Sequence, residues 1–196
     1  MVTQESCIQL SDNELVALSL KSADYFACLI KRYERQLLVY VRRISGLGQE
    51  DAEDVLQEVF IKIFYNLNDF DDKLKFSSWA YRIAHNETVS ELRKRQARPQ
   101  IILDDEEWQK ITADTDLNKE INTKYDRAML EKIISRLGEK YREIFILRFV
   151  EELDYREISD ILRLPVSTVG TLIARARRKF KEEFIKINPE YYEPNK

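Results

Sequence analysis

The stretch DYREISDILRLPVSTVGTLIARARRKFK, residues 154–181, determines the fold of the C-terminal part of the chain. It predicts two helices joined by a tight turn, with Asp154 as N-cap of the first helix and Pro165 close to the start of the second. Arg163 occupies the turn position where glycine is favoured, and a left-handed backbone there costs about 1 kcal/mol for a residue with a β-carbon. This pattern is typical of a helix-turn-helix.

The second helix of this unit is predicted to have one apolar and one polar face. The apolar residues recur at helical spacing and should face the core: Val166, Val169, Ile173, Ala176 and Phe180. The outward face should carry Ser167, Thr168, Thr171, Arg175 and Arg178. Hydroxyls near a helix N-terminus meet base edges, and arginines further along neutralise phosphates, so this face suits a DNA major groove. The plainer alternative is a helical hairpin with a solvated basic face.

The composition of the 196 residues favours an all-α protein, because four glycines and four prolines are few for a turn-rich β architecture. The formal net charge is −3, but the charges are segregated. Basic blocks within 93–98 and 163–181 flank an acidic stretch at 104–116. Two DNA-facing surfaces joined by an acidic connector would produce this distribution.

Helical periodicity divides the chain into two small helical domains. The predicted boundaries are a first domain at 1–98, an acidic linker at 99–122, a helix-turn-helix domain at 123–187 and a tail at 188–196. Within the domains, helices are predicted near 13–20, 24–44, 51–67, 77–98, 123–137 and 139–150, before the helix-turn-helix. We expect Ser11 or Asp12 to cap the first of these helices and glycine after Ser45 to end the second.

Two further motifs lie in the first domain. FSSWAYRIAHN, residues 76–86, is followed by RKRQAR at 93–98, and aromatic rings beside cations suit unstacked single-stranded bases. Trp79 and Tyr81 fit a hydrophobic core equally well. DAEDVLQEVF, residues 51–60, has an acidic and amidic polar face, which suits a positively charged protein partner or is simply solvated.

The sequence predicts no enzyme, no metal site and no cofactor. The chain lacks a phosphate-binding glycine loop and a catalytic triad, and its one histidine, His85, has no neighbouring ligands. Cys7 and Cys28 match no metal or redox spacing, so we predict two thiols in a reducing cytosol. With no recognisable signal peptide or membrane-spanning run, we expect a cytoplasmic protein that does not insert into a membrane.

In this order and at these separations, the three motifs resemble those of bacterial RNA polymerase sigma factors of the extracytoplasmic-function (ECF) group of the sigma-70 family. The resemblance extends from about residue 25 to residue 184. It implies that residues 1–98 correspond to sigma region 2 and residues 123–187 to sigma region 4. It also implies a non-enzymatic promoter-specificity subunit whose partners are core RNA polymerase, promoter DNA and an inhibitory anti-sigma factor.

The resemblance assigns roles to individual residues. Docking on core polymerase would involve Asp54, Gln57 and Glu58. The minus-ten promoter element would be read by the loop at 68–75 and the helix after it, through Phe70, Lys73, Lys75, Trp79, Tyr81, Arg82, Asn86, Arg93 and Lys94. The minus-thirty-five element would be contacted by Arg148, Ser167, Thr168, Thr171, Arg175 and Arg178.

Several positions depart from the family pattern. Housekeeping sigma factors carry a tryptophan pair that opens the duplex where this chain has Arg82 and Ile83, which implies less powerful melting. Gly170 and Leu172 stand where family members often have basic residues, so we expect Leu172 to touch a thymine methyl or recognition to depend on DNA shape. The residues alone leave one alternative open, a free-standing helix-turn-helix regulator that binds duplex DNA as a dimer.

Overall fold

A computed structural model describes residues 4–96 and 127–189, which belong to two compact units. All regular elements within these two ranges are helical, so the predicted all-α class is confirmed. The predicted linker at 99–122, the start of the domain at 123 and the tail beyond residue 189 lie outside the described residues.

The N-terminal unit, residues 4–96, is a bundle built around three long helices. Its α-helices are α1 (Gln4–Gln9), α2 (Asp12–Ser19), α3 (Phe26–Ser45), α4 (Gln49–Tyr65) and α5 (Phe76–Gln96). Short 3-10 turns at Ala23–Tyr25 and Leu67–Asp69 precede α3 and follow α4. Helices α2 to α5 lie within two residues of their predicted bounds, whereas α1 was not predicted.

Local signals set the ends of these helices. At the start of α2, Ser11 and Glu14 form a capping box in which the backbone N–H of Ser11 donates to Glu14 Oε2 at 2.8 Å and the N–H of Glu14 donates to Ser11 Oγ at 3.3 Å. Helix α3 ends at Gly46, whose φ of 71° is left-handed and whose N–H donates to the carbonyl of Arg42 at 2.8 Å. The expected Ser11 cap and glycine stop are therefore confirmed.

The core of the N-terminal unit lies between α3, α4 and α5. All three helices contribute buried side chains, among them Leu37, Tyr40, Val41, Ala52, Val59, Ile63, Phe76, Ala80, Tyr81 and Ala84. The rings of Tyr40 and Tyr81 meet edge to face with centroids 5.1 Å apart. This packing leaves the polar side of α4 at the surface.

Cys7 of α1 and Cys28 of α3 form a disulfide, so the prediction of two thiols was wrong. The unpredicted helix α1 folds back onto α3, and the disulfide closes a loop between two residues that are 21 positions apart in sequence. Arg32 fastens the same segment, because its guanidinium donates to the carbonyls of Cys7 and Leu10, each at 2.8 Å, and pairs with Asp12 at 2.6 Å. The pairing was missed because sequence spacing does not show which helices fold back on each other.

The C-terminal unit, residues 127–189, contains the helix-turn-helix. Its helices are α6 (Arg127–Arg136), α7 (Glu139–Phe145), α8 (Tyr155–Leu162) and α9 (Val166–Ile187). Helix α7 continues into a π-helical turn at Ile146–Val150, so the predicted single helix from 139 to 150 is present with a wider final turn.

The turn between α8 and α9 has the predicted structure. Asp154 caps α8 by accepting hydrogen bonds from the N–H groups of Arg156 at 2.8 Å and Glu157 at 3.0 Å. Arg163 is left-handed, with φ 53° and ψ 45°, as the turn requires. Ser159 Oγ donates to the carbonyl of Leu164 at 2.5 Å and ties the turn to α8.

The buried face of α9 differs from the predicted face at two residues. Val169, Ile173 and Ala176 are buried as expected, but Val166 is 45% exposed and Leu172 only 3% exposed. Successive helical residues turn by about 100°, so a face centred on the buried residues includes Leu172 and leaves Val166 at its margin. The predictions that Val166 is core and that Leu172 reaches a thymine methyl were therefore wrong.

Phe180, the last residue of the predicted apolar face, is half-buried. Its ring stacks on Phe145 of α7 with centroids 4.5 Å apart and an angle of 9° between the ring planes. The prediction that Phe180 faces the core is confirmed in direction, and the stack fixes α9 against α7.

Candidate docking and nucleic-acid interfaces

The polar face of α4 is the candidate docking surface of the N-terminal unit. Asp54, Gln57 and Glu58 are exposed at spacings of three and four residues, which places them on one side of the helix. On the other side, Val55 and Val59 are buried in the core. The apolar face therefore holds α4 in place while this acidic and amidic surface stays open to a partner.

A network of ion pairs fixes α4 against α5. The guanidinium of Arg95 binds both carboxylate oxygens of Asp51, at 2.6 and 2.7 Å, and its Nε donates to Glu91 at 2.8 Å. Hydrogen bonds from Arg95 lower the pKa of the Asp51 carboxyl and of the Glu91 carboxyl. Lys62 and Glu87 form a second bridge between the helices at 2.7 Å.

Arg95 was one of the residues of the predicted basic block, yet its charge is matched inside the unit. The spacing of four residues between Glu91 and Arg95 on one helix was a sequence signal for half of this arrangement. The contact to Asp51 spans 44 residues, and no local signal identified it.

The loop before α5 carries several predicted minus-ten residues. Lys73 and Lys75 are exposed on it, and Phe70 is half-buried at its start. The loop is held by a hydrogen bond from the Asn13 amide to the carbonyl of Asp72 at 2.9 Å and by one from the N–H of Leu74 to the carbonyl of Asp71 at 2.9 Å. The cationic groups therefore lie on a loop with a defined backbone.

The predicted stacking residues Trp79 and Tyr81 are in the core. Trp79 is 6% exposed and Tyr81 2% exposed, so the structure favours the core interpretation that the sequence left open. Trp79 forms an aromatic cluster with Phe70 and Phe76, with ring centroids 5.4 and 5.7 Å away. The buried rings of Trp79 and Phe76 support the loop at Phe70, and neither Trp79 nor Tyr81 presents a face to a base.

Further along α5, the remaining predicted residues lie at or near the surface. Arg82 and Asn86 are half-buried, whereas Arg93 and Lys94 are exposed. Lys94 lies 3.6 Å from Glu91, within the weak range for an exposed ion pair.

The outward face of α9 is the candidate DNA-reading surface of the C-terminal unit. Ser167, Thr171, Arg175 and Arg178 are exposed along it, and Thr168 is half-buried. The hydroxyl of Thr171 donates to the carbonyl of Ser167 at 3.0 Å, which leaves its oxygen as an acceptor. The structure therefore brings the predicted α9 residues onto one continuous polar face.

Arg148, the predicted phosphate contact outside α9, lies in the π-helical turn. Its Nη1 donates to the carbonyl of Leu153 at 2.9 Å, and its Cζ lies 5.7 Å from the centroid of the Tyr155 ring. Tyr155 is 42% exposed beside this guanidinium and was not among the predicted site residues. The ring approaches Gly170 of α9. A glycine within this helix was the one sequence signal that another side chain packs against it.

In the described ranges 4–96 and 127–189, no group of three or more histidine, cysteine or acidic side chains is arranged to hold a metal ion. In the same ranges, every helix is too short or too polar to span a lipid bilayer.

Comparison with known proteins identifies the class to which this fold and these surfaces belong. Residues 29–98 match the family described as sigma-70 region 2, and residues 127–180 match the family described as sigma-70 region 4. The chain therefore belongs to the sigma-70 family of RNA polymerase sigma factors, within its ECF group, as its relatives show.

Two relatives cover nearly the whole chain. The ECF RNA polymerase sigma factor SigW of Bacillus subtilis is 34% identical over 82% of this chain and 89% of its own length. The RNA polymerase sigma-H factor of Pseudomonas aeruginosa is 35% identical over 90% of this chain and 93% of its own. The sigma factor RpoE of Bartonella quintana, solved with the anti-sigma factor NepR, shares the fold, with a TM-score of 0.64 and 20% identity over 83% of this chain and 98% of that one.

The family establishes what the chain does. It is a promoter-specificity subunit of RNA polymerase and not an enzyme. The alternative of a free-standing regulator loses its support, because the region 2 match accounts for the first half of the chain.

Proposed function

We propose that the two units divide promoter recognition between them. In this division, the N-terminal unit binds core polymerase through α4 and the opened minus-ten strand through the loop at 68–75 and α5. The C-terminal unit reads the minus-thirty-five duplex through α9 and Arg148. The observation that carries the proposal is the segregation of surface charge, because the acidic face of α4 and the basic face of α9 belong to separate units.

For the docking surface, Asp54, Gln57 and Glu58 supply carboxylate and amide groups on a rigid helix, which suits a basic partner surface. The same charges repel phosphate, so this face is assigned to polymerase and not to DNA. The Asp51–Arg95 and Lys62–Glu87 ion pairs between α4 and α5 keep the surface preorganised before docking.

For the minus-ten element, we assign contacts to Phe70, Lys73, Lys75, Arg82, Asn86, Arg93 and Lys94. In this assignment the cations bind the strand backbone, and Phe70, the half-buried member of the aromatic cluster, contacts a base. Trp79 and Tyr81 are given a supporting role because their rings are buried.

For the minus-thirty-five element, we assign contacts to Arg148, Ser167, Thr168, Thr171, Arg175 and Arg178. Their exposure on one face of the second helix of a helix-turn-helix suits the major groove of duplex DNA.

The deciding experiment is run-off transcription with purified core enzyme, with and without this chain, on a genomic promoter library. We expect specific transcripts only in the presence of the chain. The sequences upstream of those transcripts should share two elements at one spacing. Transcripts without a shared upstream element, or with a single symmetric operator, would contradict the division of labour.

We also propose that the protein acts in the cytoplasm and is held inactive there by an anti-sigma protein. The support is the fold shared with RpoE of Bartonella quintana, which was solved with such a partner. A protein that copurifies with this chain from uninduced cells should block its assembly with core polymerase. A copurifying protein that leaves assembly unaffected would contradict the proposal.

A further inference from the structure

Gly170 leaves a gap on α9 that a side chain from another helix occupies. A β-carbon at this position would meet Cε2 of Tyr155 at 3.5 Å and Cδ2 at 3.9 Å. An alanine would thus make ordinary contact with the ring, whereas a longer side chain would compete with it for space. The surface above this turn of α9 is therefore formed by the Tyr155 ring.

Tyr155 is held in this place by the start of α8. It is the first residue of the helix and lies within the capping box formed by Asp154 and Glu157. Because the capping box fixes the backbone at this residue, it also fixes the direction in which the Tyr155 side chain leaves the helix. The side chain remains 42% exposed.

Arg148 reaches the same ring from the π-helical turn. Its guanidinium carbon lies 5.7 Å from the ring centroid, within the range of a cation–π contact. The hydrogen bond to the carbonyl of Leu153 anchors Nη1. A guanidinium carries further N–H donors in a fixed plane, and these suit a phosphate oxygen.

We propose that Tyr155 is a positioning residue for promoter recognition, which covers Gly170 and holds Arg148 ready to bind a DNA phosphate. A cation from outside α9 thereby supplies the contact that residue 170 does not make. Arginine has many rotamers, and a guanidinium already held on a ring loses less entropy on binding DNA. The inference rests on the proposed contact of Arg148 with the minus-thirty-five element.

The test uses holoenzyme assembled from core polymerase and the full chain. Wild-type holoenzyme first selects a DNA duplex from a library with random upstream sequence, and the affinity of each variant for that duplex is then measured. Affinity is measured between about 50 and 200 mM salt, because each phosphate contact contributes a slope of about 0.9 to the dependence of log K on log salt. The Arg148→Ala variant should lose affinity by on the order of tenfold. Its salt slope should be shallower by about 0.9.

Tyr155 is tested by removing the ring or only its hydroxyl. The Tyr155→Ala variant should show the same shallower slope as Arg148→Ala, and the double variant should lose no more than either single one. Tyr155→Phe keeps the ring and should retain the wild-type slope. A residue that only packs α8 against α9 would change the overall affinity without changing the slope.

Substitutions at Gly170 can displace the Tyr155 ring from Arg148 without changing Tyr155 itself. Gly170→Ala should keep the wild-type slope, because the added methyl fits beside the ring. Gly170→Leu should displace the ring and reproduce the slope of Arg148→Ala. This pair keeps the proposal testable if Tyr155→Ala proves too unstable, which a thermal unfolding curve of each variant would show.

Two results overturn the inference in distinguishable ways. A shallower slope for Arg148→Ala, with wild-type slopes for Tyr155→Ala and Gly170→Leu, would show that Arg148 binds phosphate without help from the ring. A wild-type slope for Arg148→Ala would show that the proposed phosphate contact itself is wrong.

Discussion

Arg163, like Glu152, adopts a left-handed backbone although it has a β-carbon, and it does so at the turn of the helix-turn-helix. Replacing it with glycine removes the steric cost and should stabilise the C-terminal unit by up to about 1 kcal/mol, less the extra entropy that glycine gives the unfolded chain. Denaturant unfolding followed by circular dichroism measures the change. Arg163→Ala is the control, since it removes the charge but keeps the β-carbon, and it should give no gain; an equal gain would point to the charge.

Arg175 is exposed on the proposed DNA-reading face, and its planar guanidinium can make a bidentate contact to a base as well as bind phosphate. Arg175→Ala should lower promoter-dependent transcription by roughly 5- to 150-fold, corresponding to about 1–3 kcal/mol for a bidentate base contact. Affinity for core polymerase should be unchanged. Arg177→Ala is a matched control, because Arg177 is also exposed but lies on another side of α9. Equal losses for both variants, or a parallel loss of polymerase affinity, would contradict the assignment.

Between helices, the ion pairs of Arg95 with Asp51 and Glu91 should make the packing of α4 against α5 depend on pH. Arg95 lowers the pKa of Asp51 and of Glu91, so both carboxyls stabilise the folded state above their unfolded pKa, and this stabilisation is lost as pH falls through the lowered pKa. The groups are partly exposed, so the effect should be below about 1 kcal/mol. Unfolding free energies at pH 7 and pH 3 should therefore differ less in Arg95→Met than in the wild type.

Lys94→Met is the control for this pH experiment, because it removes a neighbouring charge that is more exposed and more weakly paired. Because Lys94 also lowers the pKa of Glu91, but less than Arg95 does, Lys94→Met should lose a smaller part of the pH dependence than Arg95→Met. An equal or larger loss in Lys94→Met would show that the ion pairs of Arg95 do not govern acid sensitivity.

Helix α4 offers a direct test of the docking surface. Replacing Asp54 and Glu58 together with lysine should weaken binding to core polymerase, because two attractive charges become repulsive. Replacing Asp24 and Glu34 together with lysine changes the charge equally at two exposed positions outside α4 and should leave binding nearly unchanged. Affinity is measured by titrating labelled chain with core enzyme. A similar loss for the Asp24 and Glu34 variant would indicate that net charge, and not this face, governs docking.

Sequence reasoning succeeded for elements whose signals are local. The capping boxes at Ser11 and Asp154, and the glycine after Ser45, fixed the ends of helices because each depends on residues a few positions apart. It failed where tertiary packing decides. The burial of Trp79 and Leu172 depends on which neighbouring helices cover them, and periodicity alone leaves that open.

The same distinction applies to the site. The exposed faces of α4 and α9 followed from helical spacing, since a helix with one apolar side must turn its other side outward. The role of Arg95 and the arrangement of Arg148 over Tyr155 depend on side chains from different elements. Such arrangements require the folded structure.

The two units of the molecule differ in that the disulfide lies wholly within the N-terminal one, so we expect it to stabilise that unit. Closing a loop of this size should contribute about 3 kcal/mol by restricting the unfolded chain. Without reductant, Cys28→Ser should lower the unfolding midpoint of the N-terminal unit and leave the C-terminal unit unaffected. In the presence of reductant, the variant and the wild type should unfold alike. If the variant and the wild type had identical unfolding midpoints both with and without reductant, the disulfide would contribute no stability.

The length of α9 limits how much of a promoter the protein can cover. Its 22 residues extend about 33 Å, more than the short stretch between Ser167 and Arg178 that faces outward with polar groups. Beyond that stretch, two of the three lysines are paired, Lys179 with Glu182 at 2.9 Å and Lys186 with Glu183 at 2.6 Å, so the last turns carry little net charge. The last turns of α9 should therefore extend beyond the DNA groove without binding it. The stretch of upstream DNA that the protein protects should be shorter than the helix.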